Sequence, residues 1–233
     1  MHAHSVAPLP GFLRWHQPTL VAAIVDLDGT LVDTLGDFVL ALHATLHELG
    51  LAPVDAAQVR RLIGKGSEHL VRSVLQQVAP GAPEPLQHQA LASYQRHYLA
   101  VNGQQARVYP GAVAGLQALQ ARGFKLACLT NKPTAFAQPL LQALGLAGFF
   151  SHVFGGDAFA RKKPDPLPVL QTCAALGCPP AQTLVIGDSS NDAQAARAAG
   201  CPVLLVTYGY NHGEPVQHVD ADAYADSLAE LVG

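Results

Sequence analysis

Asp26 and Asp28 stand one residue apart in the stretch Asp26-Leu27-Asp28-Gly29-Thr30-Leu31-Val32-Asp33. Two carboxylates so close repel each other unless a positive charge lies beside them. A hard divalent cation meets that need, because Mg²⁺ usually takes one or two carboxylates together with waters and phosphate oxygens. One acid of such a pair can attack phosphorus while the other handles the leaving-group proton. Gly29 lets the backbone approach a ligand closely. An acidic Asp-Gly turn is the ordinary alternative, and the octapeptide as a whole favours chemistry over it.

Three further clusters carry chemistry-bearing side chains. Thr130-Asn131-Lys132 offers a hydroxyl and backbone N–H groups suited to a phosphate oxygen, or else a turn that caps the helix opening at Pro133. Arg161-Lys162-Lys163 precedes Pro164-Asp165-Pro166, an extended stretch that leads into a helix, and three adjacent cations read alone are solvated. Asp188 and Asp192, four apart, can complete a cation site if a cation offsets their repulsion.

Strands must bring these clusters together. Leu20 to Val25 is a short apolar run without polar alternation, the pattern of a strand buried on both faces of a parallel sheet. Phe124–Leu129, Ser151–Phe154, Gln182–Ile186 and Val203–Val206 give four more strands, and residues 226–232 a last short helix. The clusters follow the strands' carboxyl ends, where open α/β sheets place their ligand crevice.

Between the first strand and the rest, residues 34–106 read as helices only. Leu35, Phe38, Val39, Leu42, Leu46 and Leu49 recur at helical spacing before Gly50. Asp55 is the expected N-cap of a short helix through Ile63, and Ser67 the N-cap of the next. A Pro-rich break at 80–85 precedes a helix carrying Leu91, Tyr94, Tyr98 and Leu99. His43 and His47 share a helix face without a nearby third ligand and read as packing or surface residues. Pro139 is expected to kink or shorten its helix.

The stretch 26–33 resembles the first motif of the haloacid dehalogenase superfamily, in the form its phosphatases carry. The resemblance implies an α/β fold, a Rossmann-like parallel sheet core of residues 20–33 and 107–233 with an inserted α-helical cap at 34–106. It makes Asp26 the nucleophile and Asp28 the general acid/base. Thr130 with Asn131 matches the second motif, Lys163 before Pro164 the third, and Asp188 with Asp192 the fourth. The implied catalytic set is Asp26, Asp28, Thr130, Lys163 and Asp192, with Asp26, Asp28 and Asp188 around Mg²⁺. Asp192 would hold Lys163 or a metal-bound water. Gly29 and Asn131 are expected at the substrate, Gly29 through its backbone N–H together with that of Leu27.

Within the superfamily the chain resembles phosphoglycolate phosphatases at Ile63-Gly64-Lys65-Gly66, Thr130-Asn131-Lys132-Pro133 and Thr207-Tyr208-Gly209-Tyr210-Asn211. Lys65 stands where such loops often carry Asn, and either meets a substrate carboxylate or is solvated. The implied reaction is hydrolysis of a small phosphorylated metabolite through an aspartyl-phosphate, first among them 2-phosphoglycolate. Another phosphate ester, pyrophosphate, or phosphotransfer resembling β-phosphoglucomutase are the alternatives.

Composition agrees. The 233 residues are 49% hydrophobic, enough for a sizeable core. With 14 basic and 17 acidic residues and a net charge of −3, no basic surface invites nucleic acid. No apolar run approaches the roughly 18 residues of a membrane span, and residues 1–19 lack the pattern of a secretory signal. Those residues read as a flexible lead-in, with His2 and His4 solvated and Trp15 able to pin the arm to the body. Cys128, Cys173, Cys178 and Cys201 lack zinc spacing and read as reduced. A cytoplasmic setting follows as the expectation, with monomer and homodimer both open.

Overall fold

The computed structural model describes residues 20–232; the expectations for His2, His4 and Trp15 lie outside them. In chain order the elements are β1 (Ala22–Val25), β2 (Val32–Asp33), α1 (Leu35–Glu48), α2 (Ala56–Leu62), α3 (Ser67–Val78), α4 (Glu84–Val101), β3 (Arg107–Val108) and α5 (Ala112–Ala121). They continue as β4 (Lys125–Leu129), α6 (Thr134–Ala143), β5 (His152–Phe154), α7 (Leu167–Leu176), β6 (Thr183–Gly187), α8 (Ser190–Ala199), β7 (Val203–Val206) and β8 (Ala223–Ala225).

Six strands form one parallel sheet in the order β5-β4-β1-β6-β7-β8. β1 lies at its centre, in register with Cys128 of β4 and Ile186 of β6 at Val25. The strand is apolar throughout because helices cover both faces. Ala23 and Val25 pack with α5, α6 and the 3₁₀ turn Leu228–Val232, whereas Ala22 and Ile24 pack with α7 and α8. Since β1, β4 and β6 are in register, Asp26, Thr130 and Asp188 all emerge at one edge.

The helices α1–α4 follow one another between β2 and β3, which pair antiparallel through Val32 with Val108. They share a core of Phe38, Leu42, Leu46, Val59, Leu70, Val74, Tyr94 and Tyr98, which Phe136 and Tyr210 join from the sheet side.

The local signals mostly match the elements. Asp55 caps α2 in a full capping box with Gln58. Ser67 does not cap α3: it is the first helical residue, and Gly66, at φ 87°, occupies the cap position. Pro139 sits inside the ten-residue α6. His43 is taken by the Val54 carbonyl at 2.6 Å. The β2–β3 ribbon and β8 have two or three residues per strand, too short for a periodic pattern to register. All four cysteines are free, and among the described residues no helix is long and apolar enough to cross a membrane.

Candidate active site

At the carboxyl end of the sheet a cleft lies between the core and α1–α3, and Asp26, Asp28, Thr130, Asn131, Lys163 and Asp192 all line it. Asp26 continues the ladder, its N–H donating to the Ile186 carbonyl at 2.9 Å. The chain then winds into a tight turn in which the N–H groups of Leu31 and Val32 both donate to the Leu27 carbonyl. Within it the Gly29 N–H donates to Val32 O at 2.9 Å. It is spent on the turn, so the expected gift of that N–H to a substrate is corrected. Glycine is required here for another reason: φ is +89°, and a Cβ would fall 2.2 Å from Asp188 Oδ2.

Lys163 is 5% exposed. Its ammonium lies 2.6 Å from Asp192 Oδ1, 3.0 Å from Asp26 Oδ1 and 2.8 Å from the Leu129 carbonyl. Burial pulls its pKa down, but Asp192 and Asp26 outweigh that and hold it above the usual lysine range. Asp192 is otherwise satisfied by the hydroxyl and N–H of Ser189, which it joins in the capping box that opens α8. Asp188 accepts from Thr30 Oγ1 at 2.9 Å and from the Tyr210 N–H at 2.6 Å.

Asp26 is the least satisfied of the three acids. Its Oδ1 is at ion-pair distance from Lys163 but not aligned for a hydrogen bond, and it is buried without a hydrogen-bonding partner. Burial above all pushes the Asp26 pKa up to about 7, with Lys163 opposing and Asp192 adding to the rise. Burial, then Asp192 and Asp26, also drive Asp188 well above the carboxylate range. Carboxylate oxygens of Asp26, Asp188 and Asp192 lie within 4.8 Å of one another. Three clustered acids with one ammonium, paired to two of them, and an oxygen without a hydrogen bond fit a bound divalent cation.

The Asp28 carboxylate is not part of that group. Its Oδ1 accepts from Thr34 Oγ1 at 2.8 Å and from Lys132 Nζ at 3.0 Å, and Oδ2 lies 3.3 Å from the same ammonium. Tyr98, from α4, places its hydroxyl on Lys132. Burial first, then the charge of Asp28, pushes the Tyr98 pKa well above its ordinary value, so the phenol stays protonated.

Thr130 is 2% exposed, and its Oγ1 accepts from the Lys132 N–H, leaving its O–H to donate. Asn131 reaches the cleft, but its amide is committed. Oδ1 accepts from the Lys163 N–H, and Nδ2 donates to the carbonyls of Lys163 and Gly64. It thus joins the lysine loop to the turn between α2 and α3 and is not left free for a substrate. Lys65, in that turn, is exposed and does not line the cleft, although Gly64 and Gly66 do. Asn131 and Asn191 both hold the Gly64 carbonyl inward, and Lys65 beside it stands in solvent, the second of its two expected readings.

Sequence reasoning missed the group around Asp28. Lys132 was visible as the last residue of the Thr-Asn-Lys triplet, but Thr34, Phe38 and Tyr98 carried only the marks of turn and helix packing.

A family model for haloacid dehalogenase-like hydrolases matches residues 20–200. The chain belongs to that family and is an enzyme of its hydrolase class. Over 210 residues it is 46% identical to a phosphoglycolate phosphatase from Thiobacillus denitrificans, covering 90% of this chain and 92% of that one. It is 45% identical to another from Nitrosospira multiformis, covering 92% of this chain and 96% of the relative. A crystal structure described as a predicted phosphoglycolate phosphatase from Haemophilus somnus superposes with a TM-score of 0.86. That match has 34% identity over 93% of this chain and 98% of that one.

Proposed function

We propose that this chain is a Mg²⁺-dependent phosphatase that converts 2-phosphoglycolate to glycolate and phosphate. The observation that carries the reading is Asp26, buried at the mouth of β1 with its Oδ1 held by the charge of the Lys163 ammonium and by no hydrogen bond, with a second acid, Asp28, in the same cleft. The substrate follows from the names of relatives that match most of the chain.

An Asp26 oxygen attacks phosphorus in line, forming the aspartyl-phosphate as the bond to the leaving oxygen breaks. Asp28 delivers its proton to that oxygen. Water then attacks the phosphoenzyme, giving its proton to Asp28 and releasing phosphate with Asp26 restored. Lys163 offsets charge on Asp26 and on the phosphoryl group, and the Thr130 hydroxyl donates to a phosphoryl oxygen. Asp26 and Asp188, with Asp192 beside them, would hold Mg²⁺, which supplies further charge neutralisation when bound. The wall formed by α1 and α3 keeps bulk water from the phosphoenzyme.

The test is phosphate release from a panel of phosphomonoesters with and without Mg²⁺, with Asp26→Asn as the blank. A kcat/KM for 2-phosphoglycolate well above the rest, lost in the variant, supports the reading. Even activity across the panel removes the substrate assignment and keeps the reaction class.

A further inference from the structure

We propose that Lys132 is the residue that selects for a carboxylate on the leaving group, so that it, and not Lys65, determines specificity. The inference rests on the 2-phosphoglycolate reading and adds to it the residue that would read the substrate's second charge.

The cleft carries two cations with different duties. Lys163 is shared between Asp26, Asp192 and the Leu129 carbonyl, so its charge serves the nucleophile and the phosphoryl group. Lys132 faces the other acid. Its side chain is only 2% exposed, and Asp28 is the one ion-pair partner found for it among the described residues. Two aromatic rings flank it, with Nζ 4.7 Å from the centre of the Phe38 ring and 4.5 Å from that of Tyr98. Such rings hold an ammonium in place without neutralising it. The Tyr98 hydroxyl takes one of its N–H groups and the two Asp28 oxygens, at 3.0 and 3.3 Å, share the other two, so a substrate carboxylate would take over the longer of the Asp28 contacts.

The chemistry of the substrate then places its tail. If Asp28 protonates the leaving oxygen, that oxygen is in hydrogen-bond reach of Asp28. In 2-phosphoglycolate a single methylene separates this oxygen from the carboxylate. A cation already touching Asp28 is therefore the one that the carboxylate meets. Lys132 lines the cleft, as does the start of α3 at Gly66 and Ser67. Gly66 supplies no capping side chain to that helix, so its first N–H groups add to the positive potential on the same side. Lys65 is exposed and outside the lining.

The experiment compares 2-phosphoglycolate with 2-hydroxyethyl phosphate, which has the same length and no carboxylate. The wild type should prefer 2-phosphoglycolate. In Lys132→Met the ratio of kcat/KM for the two esters should fall by roughly 10- to 100-fold, the scale of one charge-assisted hydrogen bond, with the change in KM. Lys132→Arg, which keeps the charge, should retain part of the preference. Binding of the two esters to Asp26→Asn, with and without Lys132→Met, should show the same loss of selectivity with no turnover involved. Lys132→Gln replaces Met if the latter does not fold.

An unchanged ratio overturns the assignment. So does an equal loss for both esters, which would mean that Lys132 acts only through Asp28. Absence of any preference in the wild type would instead remove the substrate reading, and the role of Lys132 with it; that outcome is visible before any Lys132 variant is made.

Discussion

Asn131 Nδ2 donates to the Gly64 carbonyl at 2.9 Å, so the loop that ends β4 holds the turn between α2 and α3 directly. The same side chain clamps Lys163 through its N–H and carbonyl. Asn131→Ala should therefore leave the Lys163 N–H and carbonyl short of partners, at about 1–3 kcal/mol each where water cannot replace them, and leave the Gly64 carbonyl to Asn191 alone. The expected result is a lower Tm together with at least a tenfold loss of kcat/KM. Thermal melting and steady-state kinetics check it, and an unshifted Tm would show that the amide is not holding the two segments together.

The three acids, two at strand ends and Asp192 in the first turn of α8, predict a response to metal. Adding Mg²⁺ to chelator-treated protein should raise its Tm, by an amount equivalent to about 2.7 kcal/mol at a hundred times Kd. Asp188→Asn should raise the Tm of the chelated protein, because it removes one of three mutually repelling carboxylates, and should abolish the further rise with Mg²⁺. Asp28→Asn should keep that rise, since its carboxylate faces Thr34 and Lys132. Loss of the metal response in Asp28→Asn would show that its carboxylate helps to hold the metal.

Much of the site was legible because its residues come in short local motifs fixed to strand ends. Once β1, β4 and β6 are recognised as parallel core strands, register alone brings Asp26, Thr130 and Asp188 to one edge. What could not be read was pairing across distance. Lys132 and Asp28 are 104 positions apart, and Tyr98 has the same helical spacing whether it fills a core or caps an ammonium. Gly29 and Asn131 show the opposite error. Motif membership places both near the site, but the Gly29 N–H is consumed in its own turn and the Asn131 amide by Lys163 and Gly64.

His212 supplies a pH dependence. Its Nε2 lies 3.2 Å from Asn191 Nδ2, and an amide nitrogen only donates, so this ring nitrogen must be unprotonated. Burial first, then Lys65 and His69, hold its pKa below the ordinary value, with Asp192 and the Arg61 carbonyl opposing. A histidine with a depressed folded pKa contributes stability above its unfolded pKa, about 6.5, and loses it as pH falls through the folded value. Acid should therefore loosen the contact of Asn191 with Gly64 and raise KM. His212→Asn tolerates the left-handed backbone at φ 54° and does not titrate. The ratio of variant to wild-type KM should fall on acidification, and a pH-independent ratio would sink the prediction.

Gly29→Ala should act twice, and a second glycine separates the two effects. At φ +89° an alanine is strained, and its Cβ would meet Asp188 Oδ2 at 2.2 Å and Tyr210 Cδ2 at 2.8 Å. Asp188 cannot swing aside without giving up Thr30 Oγ1 and the Tyr210 N–H. Gly81 has a similar φ of +77°, and a Cβ there would meet nothing within 4 Å, so Gly81→Ala carries the strain alone, about 1 kcal/mol. Gly29→Ala should cost clearly more than that and should also lose the Mg²⁺-dependent rise in Tm, because the displaced carboxylate is a proposed ligand. Equal destabilisation of the two variants, with the metal response intact in both, would mean that Gly29 is needed only for its backbone angle and that the close approach to Asp188 is relieved at no cost.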